Sequence, residues 1–267
     1  MNIKFEKWQG LGNDFIILEE NDANLLTPDL AKKMCDRKFG IGADGIFAPI
    51  KSKIADIGWI FYNSDGTIAQ MCGNGIRCFA KYVFEKNLVE KKEFKVETLA
   101  GIITPKILEN GNVRVDMGTP VFETEKIPVN TKDNFNFEIL GYKASAVSMG
   151  NPHCVIYTEE NSEKLAKEIG PKIEINELFP EKTNVEFVNI IDKSKVKMDV
   201  WERGCGITLA CGTGACATVV TGVQKGLIDN VCEVVLPGGT LKIEYEKGKN
   251  VFMEGPATKA FFGEFLN

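Results

Sequence analysis

The feature that most constrains this chain is that it repeats itself. A cysteine enters a glycine turn at the head of a helical pattern in "MCGNGIRCFAKYVFEK", residues 71–86, and again in "ACGTGACATVVTGVQK", residues 210–225. Four further landmarks keep step with these two anchors. Asn13 in "LGNDFIIL" lies 59 residues before Cys72, and Asn151 in "MGNPHCVIY" lies 60 before Cys211. Asn63 and Glu202 each end an apolar run nine residues before their cysteine. Gly101 and Gly239 follow the anchors by 29 and 28 residues, and Gly118 and Gly255 by 46 and 44. Offsets that agree within two residues at every landmark read as a duplication of one fold. The expected halves are residues 1–117 and 118–256, with 257–267 packing back on the first half.

Within each half the local signals match. Runs of strand character are "IKFEKW", "DFIILE", "DIGWIFYN", "EFKVET", "IITPKIL" and "NVRVDM" in the first. The second has "HCVIYT", "NVEFVNII", "KVKMDVWE", "CEVVLP", "TLKIEY" and "NVFME". Glycine and Asn-Gly punctuation between them favours hairpins. Residues 28–38 read as a helix, with Thr27 as its cap and Pro28 at its first position, and residues 162–169 read as its counterpart. After Cys72, apolar residues recur at helical spacing with Arg77, Lys81 and Glu85 between them. After Cys211 the pattern is small and apolar all round, as for a helix enclosed on most sides. The expected fold is α/β (α+β): two pseudo-symmetric domains, each a curled, mostly antiparallel, barrel-like sheet around a central helix.

Composition narrows the function. The net charge of -5 argues against a nucleic-acid surface, which needs a basic face. Neither a signal-peptide core nor a bilayer-spanning apolar run is present in the sequence, so a cytoplasmic enzyme with reduced cysteines is expected. Eight cysteines without a Cys-x-x-Cys, and a single histidine, His153, make a zinc site a poor reading. No metal is expected.

A thiol at a helix N-terminus meets unpaired N–H groups and partial positive charge, which favour the thiolate. The adjoining glycines let backbone amides approach an anion such as a carboxylate. One such thiol suits a nucleophile, but that reading wants a histidine beside it and leaves the second copy unexplained. Two thiols on opposite faces of one carbon can remove a proton from one side and return one on the other. That inverts a stereocentre, with the amides stabilising enolate-like charge. Inversion at an amino-acid α-carbon then needs no pyridoxal cofactor, although the sequence does not exclude one. Cys35, Cys78, Cys154, Cys216 and Cys232 sit in apolar runs and read as core. Cys205 lies in a loop and is read the same way.

Taken together, "GLGNDF", "YNSDG", "MCGNGIRC", "SMGNPH", "ERGCGITLACGTGACA" and "LPGGTL" resemble the diaminopimelate epimerase family, in the family's order and over nearly the whole chain. The resemblance implies a cofactor-independent isomerase that interconverts LL- and meso-diaminopimelate on the route to lysine and peptidoglycan. It implies a small-molecule substrate and a homodimer, with no nucleic-acid or membrane partner. By motif, Cys72 and Cys211 resemble the acid/base thiols, assisted by His153 and Glu202. Gly73, Asn74, Gly212 and Thr213 resemble the carboxylate cradles. Asn13, Asn63, Asn151 and Asn184 resemble substrate-binding amides, and Glu202 with Arg203 resembles the pair that reads the distal end. Two positions depart from the pattern: Gly45 stands where some members carry glutamine, and Ile207 where many carry glutamate. Relatives acting on lanthionine, histidine or proline, and a non-catalytic metabolite-binding relative, are the alternatives.

Overall fold

The computed structural model describes residues 2–266. The chain divides into two compact units, residues 1–115 with 255–267, and residues 116–254. The first unit contains β1 (Asn2–Gly10), β2 (Asn13–Leu18), α1 (Pro28–Cys35), β3 (Gly45–Ile50), β4 (Ile57–Asn63), α2 (Gly73–Glu85), β5 (Val96–Thr98) and β6 (Gly101–Ile103). A hairpin of β7 (Pro105–Ile107) and β8 (Val113–Asp116) follows, and a C-terminal strand spans Thr258–Leu266. Its main sheet runs C-terminal strand–β1–β2–β3–β4–β5–β6.

The second unit contains β9 (Phe137–Ile139), β10 (Tyr142–Ser148), β11 (Pro152–Tyr157), α3 (Ser162–Glu168), α4 (Gly170–Glu174), β12 (Asn184–Asp192) and β13 (Lys195–Glu202). The two-residue β14 (Gly206–Ile207), α5 (Gly212–Gln224), β15 (Val231–Leu236), β16 (Gly239–Tyr245) and β17 (Val251–Gly255) complete it. Here the order is β17–β16–β15–β13–β12–β11–β10–β9, with β14 on β13.

Both units are built on one scheme of hairpin, helix, hairpin, helix, hairpin. Antiparallel neighbours are joined by short turns. The parallel neighbours β2/β3 and β4/β5 in one unit, and β11/β12 and β13/β15 in the other, are those separated in the chain by helices. A parallel pair needs a crossover long enough to return the chain to the same end of the sheet, and a helix supplies it. The sheets are mostly antiparallel, as expected, with these parallel pairs between. They are also open rather than barrel-like, since neither strand path returns to its start. The end strands β6 and β9 are three residues long and offer little ladder for closure.

The helices follow from local chemistry. Thr27 Oγ1 accepts the Leu30 N–H at 3.2 Å and Pro28 opens α1. The helical pattern extends to residue 38, but α1 stops at Cys35. Asp36 Oδ1 accepts the N–H groups of Lys38 and Phe39 at 2.7 and 2.8 Å, a local bond that competes with the helical ladder. Asn161 caps α3 through the Lys164 N–H at 2.9 Å. The apolar α5 is buried along nearly its whole length. Strand β3 has no alternating pattern because "GIFAP" is buried on both faces, the condition under which strands read as continuous apolar runs.

The first unit's interior is aromatic. Phe47 stacks on Phe15 at 4.8 Å and on Trp59 at 5.0 Å, and meets Phe61 edge-on at 4.6 Å. Gly45 is fitted to this cluster: a Cβ there would lie 2.6 Å from the Phe61 ring and 2.9 Å from the Tyr62 carbonyl oxygen. A glutamine at this position has no room unless Phe61 moves. Gly45→Ala is expected to destabilise the protein by about 1–3 kcal/mol, read from chemical denaturation; an unchanged midpoint would show that the cluster yields freely.

At one end of this sheet Asp14 joins two cations. Its carboxylate lies 2.7 Å from Lys7 Nζ and 2.7 Å from Arg37 Nη2, and Arg37 also reaches Asp44 at 2.7 Å. Burial opposes ionisation of Asp14, but the hydrogen bonds from Arg37 and Lys7 overcome it and hold the carboxyl down at about 2. The folded value lies below the unfolded value of about 3.9. The stabilisation is therefore complete above about pH 4 and is lost as pH falls towards 2. Asp14→Asn is expected to flatten acid destabilisation in that window, by roughly 2 kcal/mol, as measured by urea denaturation from pH 5 to 2.

Candidate active site

Cys72 and Cys211 occupy the same structural position in their units. Each is the N-cap of a 13-residue helix, with extended backbone (φ -141° and -114°). Each sulfur accepts the N–H three residues on, from Gly75 at 3.4 Å and Gly214 at 3.3 Å. A cysteine sulfur thus takes the place usually held by a serine or aspartate oxygen. The glycines at the third helical position are required by close approach. A Cβ on Gly75 would come within 2.8 Å of the Phe47 ring, and one on Gly214 within 2.7 Å of Glu186 Oε1.

Around Cys72 the first unit gathers Asn13 and Asn74. Asn13 Oδ1 lies 3.5 Å from the sulfur and accepts from Asn74 Nδ2 at 3.3 Å. The Asn13 amide is oriented from behind by Asp44, whose Oδ2 accepts its Nδ2 at 2.6 Å. Asp44 is in turn held by Arg37. Gly73 opens α2, and its carbonyl accepts from the buried Arg77 at 3.2 Å. Asn63 ends β4 and donates to Thr67 Oγ1 at 3.0 Å.

Around Cys211 the second unit gathers a more polar set. Thr213 Oγ1 lies 3.5 Å from the sulfur, and Gly212 is the first helical residue. Glu202 ends β13 and accepts from Thr208 Oγ1. Burial pushes its carboxyl up, and Glu186 adds to that against the Thr208 bond. His153 is fully buried, with Nδ1 2.7 Å from Glu186 Oε1 and Nε2 2.9 Å from Asn151 Oδ1. Burial pushes the Cys211 thiol well above its ordinary range, and the carboxylates of Glu202 and Glu186 push it further.

Asn184 is engaged with backbone on both sides: its Nδ2 donates to the Pro152 carbonyl at 2.8 Å and its Oδ1 accepts the Arg203 N–H at 2.9 Å. It thereby fixes the loop that carries Glu202 and Arg203. Glu174 on α4 supports the same loop, accepting from Trp201 Nε1 at 2.6 Å and from the Gly204 N–H at 2.9 Å. The Arg203 side chain is exposed, with one bond to the Glu181 carbonyl at 3.2 Å.

Asp44, Glu174 and Glu186 are contributors that motif reading passes over. Glu186 left a signal in "NVEFV", a charged residue inside a strand otherwise buried and apolar. The remaining cysteines fall into two groups. Burial raises Cys35 and Cys78 to about 12 and Cys232 to about 11, and puts Cys154 well above 9. Cys216 is buried and Cys205 is exposed. Among the described residues no three His, Cys, Asp or Glu side chains are gathered to hold a metal ion. No helix among them is long and apolar enough to cross a membrane.

A family model described as diaminopimelate epimerase matches residues 5–123 and 145–260. The diaminopimelate epimerase of Carboxydothermus hydrogenoformans is 51% identical, covering 99% of this chain and 100% of the relative. That of Halothermothrix orenii is 47% identical, covering 100% and 99%. Among solved structures, a PhzF-family phenazine biosynthesis protein from Bacillus anthracis matches with a TM-score of 0.73 at 17% identity, covering all of both chains. A probable proline racemase from Agrobacterium radiobacter matches at 0.68 and 14%, covering 99% of this chain and 93% of that one. These two share the fold. The family model over most of the chain and relatives 47–51% identical over nearly its full length lead to one assignment: the chain belongs to the diaminopimelate epimerase family.

Proposed function

We propose that this isomerase interconverts LL- and meso-2,6-diaminopimelate with Cys72 and Cys211 as the two proton-transfer groups, one for each face of the α-carbon, and without pyridoxal phosphate. The observation that carries the reading is the pair of thiols at equivalent N-cap positions. In one direction the sulfur of one cysteine, as thiolate, takes the α-proton. The C–H electron pair moves into the bond to the carboxyl carbon, and charge develops on the carboxylate oxygens. The first turns of α2 and α5 stabilise that charge, because the N-terminal end of a helix carries partial positive charge. The second sulfur, as thiol, delivers its proton to the opposite face. The two sulfurs have then exchanged protonation states, and the reverse reaction uses the same pair in the other order. Cys211, held as a thiol by burial and two carboxylates, starts as the donor.

Asn13, Asn63, Asn74 and Asn151 supply amide contacts to the reacting amino-acid group, and Gly73, Gly212 and Thr213 the backbone cradles. His153 and Glu202 tune the Cys211 side. The exposed Arg203 guanidinium is suited to a distal carboxylate by paired hydrogen bonds, and Glu202 and Asn184 fix its approach. In this reading the product serves lysine and peptidoglycan synthesis in the cytoplasm, a reducing compartment that keeps the eight free cysteines as thiols. The reading includes a homodimer. The C-terminal strand is an end of its sheet and exposes Phe261, Phe262 and Leu266, the kind of edge that a second copy covers.

Incubation with LL-diaminopimelate in D2O, without added pyridoxal phosphate, is expected to give the meso isomer with deuterium at the inverted α-carbon. Absence of both product and exchange would sink the assignment. Cys72→Ala and Cys211→Ala are each expected to lower kcat/KM by at least about a thousandfold, the scale of losing a positioned acid or base. Arg203→Ala is expected to act mainly on KM for diaminopimelate. Faster turnover of a one-headed amino acid by the wild-type enzyme would move the substrate assignment to another amino acid.

A further inference from the structure

The two copies of the capping motif differ in what lies against the first helical turn. At α2, Phe47 comes within 2.8 Å of the point where a Gly75 Cβ would stand, and Phe15 stacks on its ring. At α5, Glu186 Oε1 comes within 2.7 Å of the same point on Gly214, and His153 Nδ1 binds that oxygen at 2.7 Å. Sheet register makes these the same places in the scheme. Ile17 pairs with Phe47 as Val155 pairs with Glu186, and Phe15 pairs with Gly45 as His153 pairs with Asn184. An aromatic stack in one unit is replaced by an acid–imidazole pair in the other.

Cys211 Sγ lies 3.2 Å from that same point on Gly214. Sulfur and carboxylate therefore share one small buried space. Packing alone does not call for charge there, because Phe47 fills the corresponding place with carbon. Glu186 and His153 are both fully buried, and Glu186 Oε2 has no hydrogen-bond partner among the described residues. A buried carboxylate oxygen without a partner is costly, on the order of 1–3 kcal/mol or more. Groups held at such cost concentrate at functional sites.

We propose that Glu186 is a positioning residue for proton transfer at Cys211: clamped by His153, its carboxylate holds the adjacent sulfur in the protonated form that donates to the substrate carbon. The titratable groups acting on the sulfur are Glu202 from the end of β13 and Glu186 from β12, with His153 of β11 bound to Glu186. α5 itself contributes Thr213 and the Gly214 N–H. Glu202 is additionally occupied by Thr208. Glu186 is fixed by a ring whose other nitrogen is bound to Asn151, so its oxygen stays beside the sulfur. The inference rests on the two-thiol reading, but its readout is ionisation of a side chain, which is measured whether or not turnover depends on Cys211.

The test uses the full chain labelled with 13C at cysteine Cβ, whose shift follows thiol ionisation. The Cys72 and Cys211 signals are assigned with the two Cys→Ala variants. In Glu186→Gln, ionisation of Cys211 is expected to begin at least one pH unit lower than in wild type, a tenfold larger thiolate fraction at a given pH. Cys72 is expected not to move, and the alkaline limb of the kcat/KM profile is expected to shift in the same direction as Cys211. Glu186→Met, uncharged and of similar volume, is read in the same way if the glutamine variant does not fold. Equal behaviour of Cys211 in variant and wild type overturns the proposal, including no ionisation in either up to the alkaline limit of folding. A shift shared by Cys72 and Cys211 also overturns it, since that reports a general structural change. Full activity in Cys211→Ala would instead overturn the two-thiol reading and leave the titration to decide the role of Glu186.

Discussion

The structure depends on a helix end capped by sulfur. A favourable N-cap is a side chain that accepts a hydrogen bond from the first turn, and oxygen does this better than sulfur. Here both long helices accept the poorer cap, at 3.4 and 3.3 Å. The cap places a titratable atom at the positive end of the helix dipole. The glycines then follow. Gly75 and Gly214 have to be bare because Phe47 and Glu186 come too close for any Cβ. The sheets follow as well, since each capped helix is the crossover that makes its two flanking strands parallel.

One scheme carries two different interiors. In the first unit the space against the helix start is filled by Phe15 and Phe47, and in the second by His153 and Glu186. The aromatic pair presents carbon to its helix turn, while the acid–imidazole pair presents charge. Two sulfurs at equivalent N-cap positions therefore meet unlike surroundings. Cys211 is buried beside carboxylates, whereas Cys72 is partly exposed and touches the neutral Asn13 amide. The two sulfurs of one scheme are thereby made inequivalent by their neighbours.

Much of this was legible in the residues, for identifiable reasons. The cap of α1 follows from Thr27 and Pro28, and the enclosure of α5 from a pattern apolar on every side. Strands that alternate, such as β13 and β16, declare themselves by period. Strand β3 does not, because burial on both faces erases the alternation. The end of α1 was misjudged because helical periodicity runs on to residue 38 while the Asp36 side chain diverts the backbone first. Closure of the sheets was not readable at all. It depends on which strands are left unpaired at the ends, and no local pattern records that. At the candidate site the glycine-turn cysteines stood out in sequence. Asp44 and Glu186 did not, since their meaning comes from what they orient. Asp44 turns the Asn13 amide towards a sulfur 59 residues on in sequence from Asn13, and Glu186 meets a histidine 33 residues before it.

Gly45 shows how such a departure from a family pattern is to be weighed. Read as a missing glutamine, it suggests a lost contact to substrate. In the fold it is the register counterpart of Asn184, whose amide is spent on the Pro152 carbonyl and the Arg203 N–H. The corresponding place in the first unit has no such loop to hold, and the Phe61 ring occupies the volume instead. A larger residue and a displaced Phe61, or glycine and the packed aromatic cluster, are two solutions to one volume constraint. This chain uses the second. The aromatic wall beneath Cys72 and the bare backbone at Gly45 are therefore one feature.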